Sequence, residues 1–244
     1  MSTYKAETYG EQVADVYDGW YGVYDEAMID LLAELAHGGR ALELGIGTGR
    51  VALPLAARGV EVHGIDASPA MVARMRAKPG GAQVPVRVGD FADVQAEGDF
   101  DLVFIVFNTF FALLTQDAQV RCFRNVAARL KPGGTFALEA FVPDLTRFDH
   151  SGTTNKATRV TEDRVELDVS QHDAATQHVV SNKVVLTDRQ VRLYPIQIRY
   201  AWPAELDLMA QLAALRLRER WSGWRREPFD AQSGKHISIY ERDG

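Results

Sequence analysis

Short apolar runs and longer amphipathic stretches alternate along the first two-thirds of the chain. The runs at 41–44, 60–65, 84–88, 102–107 and 136–140 are brief and rich in β-branched or aromatic residues, which predicts strands. Between them, 50–57, the stretch opened by Ser68-Pro69 and 115–130 predict helices. In the last of these, Val120, Phe123, Val126, Ala127 and Leu130 recur on one face. Ser68 supplies a capping hydroxyl and Pro69 a ring preset for the first helical position, and Thr115 can cap in the same way. Gly59, Pro79-Gly80-Gly81 and Lys131-Pro132-Gly133-Gly134 are the stops. Pro54 removes a backbone donor inside 50–57, so a late start or a kink is expected there. Strand and helix alternating in this way predict a doubly wound, mostly parallel sheet.

After about residue 143 the period changes. Segments near 157–170, 178–187 and 190–200 alternate polar and apolar positions without helical stretches between them. Val165, Leu167 and Val169 form one such set; Val191, Leu193, Ile196 and Ile198 form another. This predicts a half-buried antiparallel meander. A helix over 204–215 and strands near 217–224 and 236–241 follow. The expected organisation is an N-terminal helical segment (1–36), an α/β core (37–143), an antiparallel β lid inserted at 144–202, and a final helix and hairpin (203–244) completing a seven-stranded sheet.

A length of 244 residues suits one large domain with an ample core. The net charge of −6 argues against a dedicated nucleic-acid binder, which needs a basic footprint. Arg216, Arg218, Arg220, Arg225 and Arg226 cluster, but Glu219 and two tryptophans interrupt them, and a solvated strand face is expected. The single cysteine, Cys122, precludes an intrachain disulfide and reads as a small buried residue. The most apolar run, 102–114, is shorter than the roughly 20 residues a bilayer span takes, and the polar opening has no secretory pattern. A cytoplasmic protein without a membrane partner is expected. The histidines at 37, 63, 150, 172, 178 and 236 are scattered, so no metal is expected. His63 reads as a core residue, and His172 and His178 as solvated loop residues flanking the lid.

The chemistry concentrates in Glu43-Leu44-Gly45-Ile46-Gly47-Thr48-Gly49, at the exit of the first strand. Glycines there allow a tight turn and close approach of backbone to a ligand. A dinucleotide fingerprint wants glycine or alanine in its third slot; that slot holds Arg50. Asp66 ends the second strand 17 residues after Gly49, close to the spacing of about 20 at which a carboxylate accepts from ribose hydroxyls. Gly89-Asp90-Phe91 follows the third strand, where the carboxylate can accept from an exocyclic amine and the ring can pack on adenine.

Residues 42–141 resemble the core of class I S-adenosylmethionine-dependent methyltransferases through E-L-G-I-G-T-G, I-D-A-S-P-A-M, V-G-D-F, F-D-L-V-F and L-K-P-G-G. The opening Ala14-Asp15-Val16-Tyr17-Asp18-Gly19-Trp20-Tyr21, with the β-rich region before the last helix, is similar to the amino-sugar N,N-dimethyltransferases of antibiotic biosynthesis. The resemblance implies a Rossmann-like methyltransferase fold that takes S-adenosylmethionine, releases S-adenosylhomocysteine and needs no metal. It implies Gly45 and Gly47 beside the methionine moiety and ribose, Asp66 with Ala67 at the ribose hydroxyls, and Asp90 and Phe91 at adenine. Val106 would stand near the sulfonium, and Tyr21 would reach the cofactor from the N-terminal segment. Glu43 either faces the cofactor or satisfies donors of the turn, and Tyr21 either contacts ligand or packs. Arg50 departs from the small or neutral residues frequent at its place. Asn108 matches the first residue of an N-P-P-Y motif, but Thr109, Phe110 and Phe111 replace the rest, which disfavours that chemistry.

The expected function is methyl transfer to nitrogen or oxygen of a small-molecule acceptor in secondary metabolism. Methylation of a small peptide and non-catalytic cofactor binding are the alternatives; the glycine register opposes a nicotinamide oxidoreductase. Asn108, Phe111, Glu139, Phe141 and Tyr200 are the candidate acceptor-pocket residues, with Trp202 beside Tyr200. No catalytic base stands out. A neutral amine attacks without one, whereas an aliphatic hydroxyl needs one, which tilts the expectation toward nitrogen. Pairing of two copies of the chain is left open.

Overall fold

Three helices lead into the first strand: α1 (Thr8–Val13), α2 (Tyr17–Tyr21) and α3 (Glu26–Ala36). The computed structural model describes residues 4–242; the outermost residues of the first and last expected segments, 1–3 and 243–244, lie outside the described residues. The core then runs β1 (Arg40–Leu44), α4 (Ala52–Ala57), β2 (Glu61–Asp66), α5 (Pro69–Arg76), β3 (Val86–Val88), β4 (Phe100–Ile105), α6 (Gln116–Arg129) and β5 (Leu130–Phe141). Ser68 and Thr115 cap α5 and α6 by accepting from Met71 N and Ala118 N. Helix α4 starts late, at Ala52, so Pro54 falls in its first turn, where a missing N–H costs no intrahelical bond.

An antiparallel insert follows: β6 (Thr153–Val160), β7 (Arg164–Asp173), β8 (His178–Thr187) and β9 (Val191–Arg199). Then α7 (Pro203–Leu212), β10 (Leu215–Trp221) and β11 (Lys235–Arg242) return to the core. Seven strands form one sheet in the order β10-β11-β5-β4-β1-β2-β3, and the four inserted strands form a second in sequence order. Strand β1 pairs parallel with both β2 and β4, and β11 runs antiparallel between β5 and β10. The winding direction reverses between β1 and β4, and such sheets bind ligands outside the carboxyl ends of the strands at that point. Apolar layers cover both faces of the sheet. One gathers Phe110, Phe123, Phe136 and Tyr240; the other gathers Ile29, Leu32, Leu55 and Phe104.

The structure departs from the sequence reading in several places: His63 is only part-buried, beside Arg40 and Glu61, and Val191 and Leu193 are exposed. The expected 157–170 segment is a hairpin, because the chain turns at 161–163. That turn is closed by Thr161 N donating to Arg164 O and by the Thr161 hydroxyl on Asp163, with no glycine or proline to announce it. Strand β4 stops at Ile105, since Phe107 and Asn108 are left-handed. His172 and His178 sit within β7 and β8, not in loops: the first bonds the Tyr200 hydroxyl and the second the Leu114 carbonyl. In the basic cluster, Arg216, Arg218, Arg220, Arg225 and Arg226 face Glu241, Glu219, Asp207, Asp25 and Glu34 respectively. Among the described residues, no helix is long and apolar enough to cross a membrane.

Candidate active site

The glycine turn is tied to β2 before any side chain takes part. Gly45 N and Ile46 N both donate to Ile65 O, at 2.8 and 3.0 Å. Gly45 has φ +74°, and a Cβ placed there would come within 2.5 Å of the Thr109 methyl. Gly47 has φ +56° and donates its N–H to Asp66 Oδ2 at 2.7 Å, while Asp66 Oδ1 accepts from Ser68 N at 2.8 Å. Burial raises the Asp66 pKa, and these two backbone donors oppose the rise.

Glu43 is buried at the floor of the turn. Burial pushes its carboxyl well above the usual range, with the Arg50 charge opposing, and Oε2 has no hydrogen-bond partner. Glu43, Gly45, Gly47 and Val106 line a common cleft with Tyr17 and Phe107. Ala67 is half-buried between Asp66 and Ser68. Asp90 is exposed and caps a short turn by accepting from Ala92 N at 2.8 Å, and Phe91 behind it packs into the core. Cys122 is buried beneath, its thiol directed at Phe91 O.

Helices α1 and α2 cover the turn. The Thr48 hydroxyl donates to Asp18 Oδ1 at 2.6 Å, and Lys78 Nζ reaches both Asp18 Oδ2 and Thr48 O at 2.8 Å. Glu11 Oε1 accepts from the Ser68 hydroxyl at 2.7 Å and from Ala70 N at 3.0 Å. Tyr21 lies 5.2 Å from Tyr17 and 5.3 Å from Phe107, ring to ring. It is Tyr17, and not Tyr21, that lines the cleft; burial pushes its phenol up to about 12, against the Arg50 charge. The sequence motif singles out Tyr21 and gives no site role to Tyr17, Phe107 or Thr48. The aromatic pair four residues apart on one helical face was the available signal.

The exit of β4 is unusual. Phe107 and Asn108 are consecutive non-glycine residues with φ +61° and +65°, a conformation uncommon outside glycine. Glu139, in β5, accepts from Phe107 N at 2.9 Å through Oε2, and through Oε1 from Trp224 Nε1 at 3.1 Å and Lys235 Nζ at 3.2 Å. Asn108 Oδ1 accepts from Phe141 N at 2.7 Å. Phe111 is fully buried, 4.9 Å from the Phe141 ring.

Beyond Phe141 a second cleft of about 630 Å³ opens between the 141–148 segment and the inner face of the four-stranded sheet. Phe141, Phe148, Val179, Ile198 and Tyr200 form its apolar part; Arg147, Lys156, Asp168 and Ser181 are among its polar residues. The Tyr200 hydroxyl meets His172 Nε2 at 2.9 Å, and the His172 ring stacks on Phe148 at 4.6 Å. Of the five acceptor-pocket candidates, Phe141 and Tyr200 line this cleft. Asn108, Phe111 and Glu139 stand behind it, engaged with the β4 exit. Among the described residues, no group of three or more His, Cys, Asp and Glu is gathered as a metal site would require.

The family profile described as "Methyltransferase domain" matches residues 41–134. A cypemycin N-terminal methyltransferase from a Streptomyces species is 30% identical over 207 residues, which is 84% of each chain. Among solved structures, the CcbJ methyltransferase of Streptomyces caelestis is 40% identical, with a TM-score of 0.90 over 99% of this chain and 100% of that one. CalS10, an amino pentose methyltransferase from Micromonospora echinaspora solved with S-adenosylmethionine bound, shares the fold at 20% identity, with a TM-score of 0.69 over 99% of both chains.

Proposed function

The chain belongs to the S-adenosylmethionine-dependent methyltransferases, and from that premise we propose that it methylates a nitrogen or oxygen of a small-molecule acceptor held in the 630 Å³ cleft. The observation that carries this reading is the seam between the two clefts. Phe107 lines the cleft of the glycine turn; its neighbour Asn108 holds the backbone of Phe141, which lines the other. An acceptor seated against Phe141 is thereby brought toward the end of β4.

The donor cleft fits S-adenosylmethionine by its chemistry. The unpartnered Glu43 Oε2 is a buried acceptor suited to an N–H donor. Asp66 uses one lone pair on each oxygen, which leaves others for ribose hydroxyls. Asp90, exposed beyond β3, can accept from the adenine amine. The cofactor supplies an electrophilic methyl group on a positively charged sulfur. The task of the protein is to align acceptor and methyl and to exclude water, and such alignment is worth about 7–11 kcal/mol in well-oriented systems. Tyr17 and Phe107 give the donor cleft an aromatic wall, with the Tyr21 ring packed against both, and α2 covers it.

Nitrogen is the favoured acceptor atom. An amine attacks as the neutral base and needs only to lose a proton, for which the Tyr200 hydroxyl backed by His172 offers an exit at the cleft wall. The N-terminal methyltransferase among the relatives supports the same atom. The cleft volume lies in the range of drug-sized ligand sites, so both a multi-ring metabolite and the end of a short peptide fit it; membership beside secondary-metabolite enzymes supports the metabolite. A screen with methyl-labelled S-adenosylmethionine against amines, hydroxylated compounds and peptides is the test. Label in an amine of a small molecule is expected. Label only in peptides or on carbon would overturn the acceptor assignment.

A further inference from the structure

We propose that Glu139 is a positioning residue of the donor cleft that acts through Phe107 and meets neither ligand. Its side chain is buried, with 6% of the residue exposed, and both carboxylate oxygens are engaged by Phe107 N, Trp224 Nε1 and Lys235 Nζ. Such an acid is spent on the fold. What it holds is a backbone conformation that persists only where the surroundings over-determine it. Two of the ties come from Glu139 itself: its side chain bonds Phe107 N, and its carbonyl accepts from Asn108 N at 3.3 Å.

The Phe107 ring is not fixed by burial, because 40% of the residue is exposed. It stands 4.2 Å from the Arg50 guanidinium and 5.3 Å from the Tyr21 ring, at the lip of the cleft that holds Gly45 and Gly47. Its position therefore depends on where the turn aims it. Trp224 follows β10 and Lys235 opens β11, so the last hairpin, remote in sequence from the glycine turn, orients the acid that orients the ring. The antiparallel end of the sheet thus has a part in donor binding besides closing the core.

The inference rests on the cofactor reading above. Its test is titration calorimetry with S-adenosylhomocysteine, set beside thermal melts of the unliganded proteins. In Glu139→Gln an amide NH2 replaces one acceptor oxygen and faces a donor, so at least one of the three bonds is lost. The dissociation constant is expected to rise about tenfold or more in protein that still melts cooperatively. A merely structural role would lower the melting temperature and leave the affinity alone. Phe107→Ala should weaken binding as well, and the double variant should be less than twofold weaker than Phe107→Ala, because residues acting as one unit are not additive. Wild-type affinity in Glu139→Gln, or penalties that multiply in the double variant, would overturn the proposal. Should Glu139→Gln fail to fold, Lys235→Met serves in its place. A roughly threefold loss that vanishes in the Phe107→Ala background supports the proposal; no loss overturns it. Failure of the wild type to take up S-adenosylhomocysteine would instead refute the cofactor reading.

Discussion

The carboxylate of Asp66 accepts a hydrogen bond from the backbone N–H of Gly47 at 2.7 Å, across 19 residues of sequence. The acid at the end of β2 therefore helps to build the turn of the preceding strand-to-helix crossing, from β1 to α4, with lone pairs to spare for a ribose. Asp66→Ala is expected to weaken S-adenosylhomocysteine binding by about 1.5–3 kcal/mol, the range for hydrogen bonds to a charged group. It should also lower the melting temperature of the unliganded protein, since Gly47 N and Ser68 N both lose a partner. Asp66→Asn, which keeps one acceptor oxygen, should fall between. Calorimetry and melting curves read the two effects separately, and unchanged affinity in Asp66→Ala would put the ribose anchor elsewhere.

Asp18, on α2, is held from below by Lys78 and Thr48; burial raises its carboxyl, but these ties together outweigh it and hold the group below the usual range. The contacts are partly solvated, so a pair of this kind is worth about 1 kcal/mol or less. If α1 and α2 form the cover of the donor cleft, Lys78→Met should speed release of S-adenosylhomocysteine up to roughly fivefold, with the association rate little changed. Stopped-flow displacement measures this directly. A release rate equal to that of the wild type would mean that the cover does not govern exit.

The donor side of the site was legible because its signals are local. Glu43, Gly45 and Gly47 lie on one turn, and the spacing to Asp66 follows from one helix and one strand. Ser68 and Thr115 announced their helices by capping chemistry alone. The β4 exit was not legible. Asn108 tolerates a left-handed turn, as asparagine does more readily than most residues, but Phe107 has no such preference and takes it because Glu139, 32 residues away, holds its N–H from the neighbouring strand. The second cleft was only partly legible, because its walls come from the 141–148 segment and from separate strands of the insert. Tyr200 and Phe141 could be guessed from their places at strand ends. Arg147, Lys156 and Asp168 could not. Nor could the pairing of His172 with Tyr200, which needs β7 and the residue just past β9 to meet across the intervening β8.

Glu43 carries a stability cost that depends on pH. Its pKa in the folded protein is raised well above the ordinary carboxylate value of 4.5, chiefly by burial. The folded chain therefore holds this proton more tightly than the unfolded chain. The stabilisation is full below 4.5 and is lost as pH rises toward the folded-state value. Glu43→Gln, which stays neutral, should melt higher than the wild type at pH 8 without ligand, by roughly 2–4 °C for each kcal/mol relieved. The gap should close near pH 4.5. The same change removes an acceptor from the donor cleft, so affinity for S-adenosylhomocysteine should fall as stability rises. Identical melting profiles from pH 4.5 to 8 would show that the carboxyl is already stabilised by partners in its charged form.

His236 gives the opposite slope. It is buried in β11 with Nδ1 2.8 Å from the Ser238 hydroxyl and Nε2 unpartnered. Burial first, and then the Arg220 charge, lower its pKa from 6.5 to about 4, with Asp207 opposing weakly. The unfolded chain takes up this proton more readily than the folded one. The neutral ring thus contributes stability that is present above pH 6.5 and drains away as pH falls toward 4. The separation of the two values corresponds to about 3 kcal/mol at most. In urea titrations the wild type should lose more stability between pH 6.5 and 4.5 than His236→Leu, which has no proton to gain, although the variant starts lower through the lost bond to Ser238. Carboxylates away from the imidazole contribute equally to both proteins, so the difference between the two profiles reports the imidazole together with its coupling to Asp207. Parallel profiles would show that the folded protein accepts the proton on His236 as easily as the unfolded chain does.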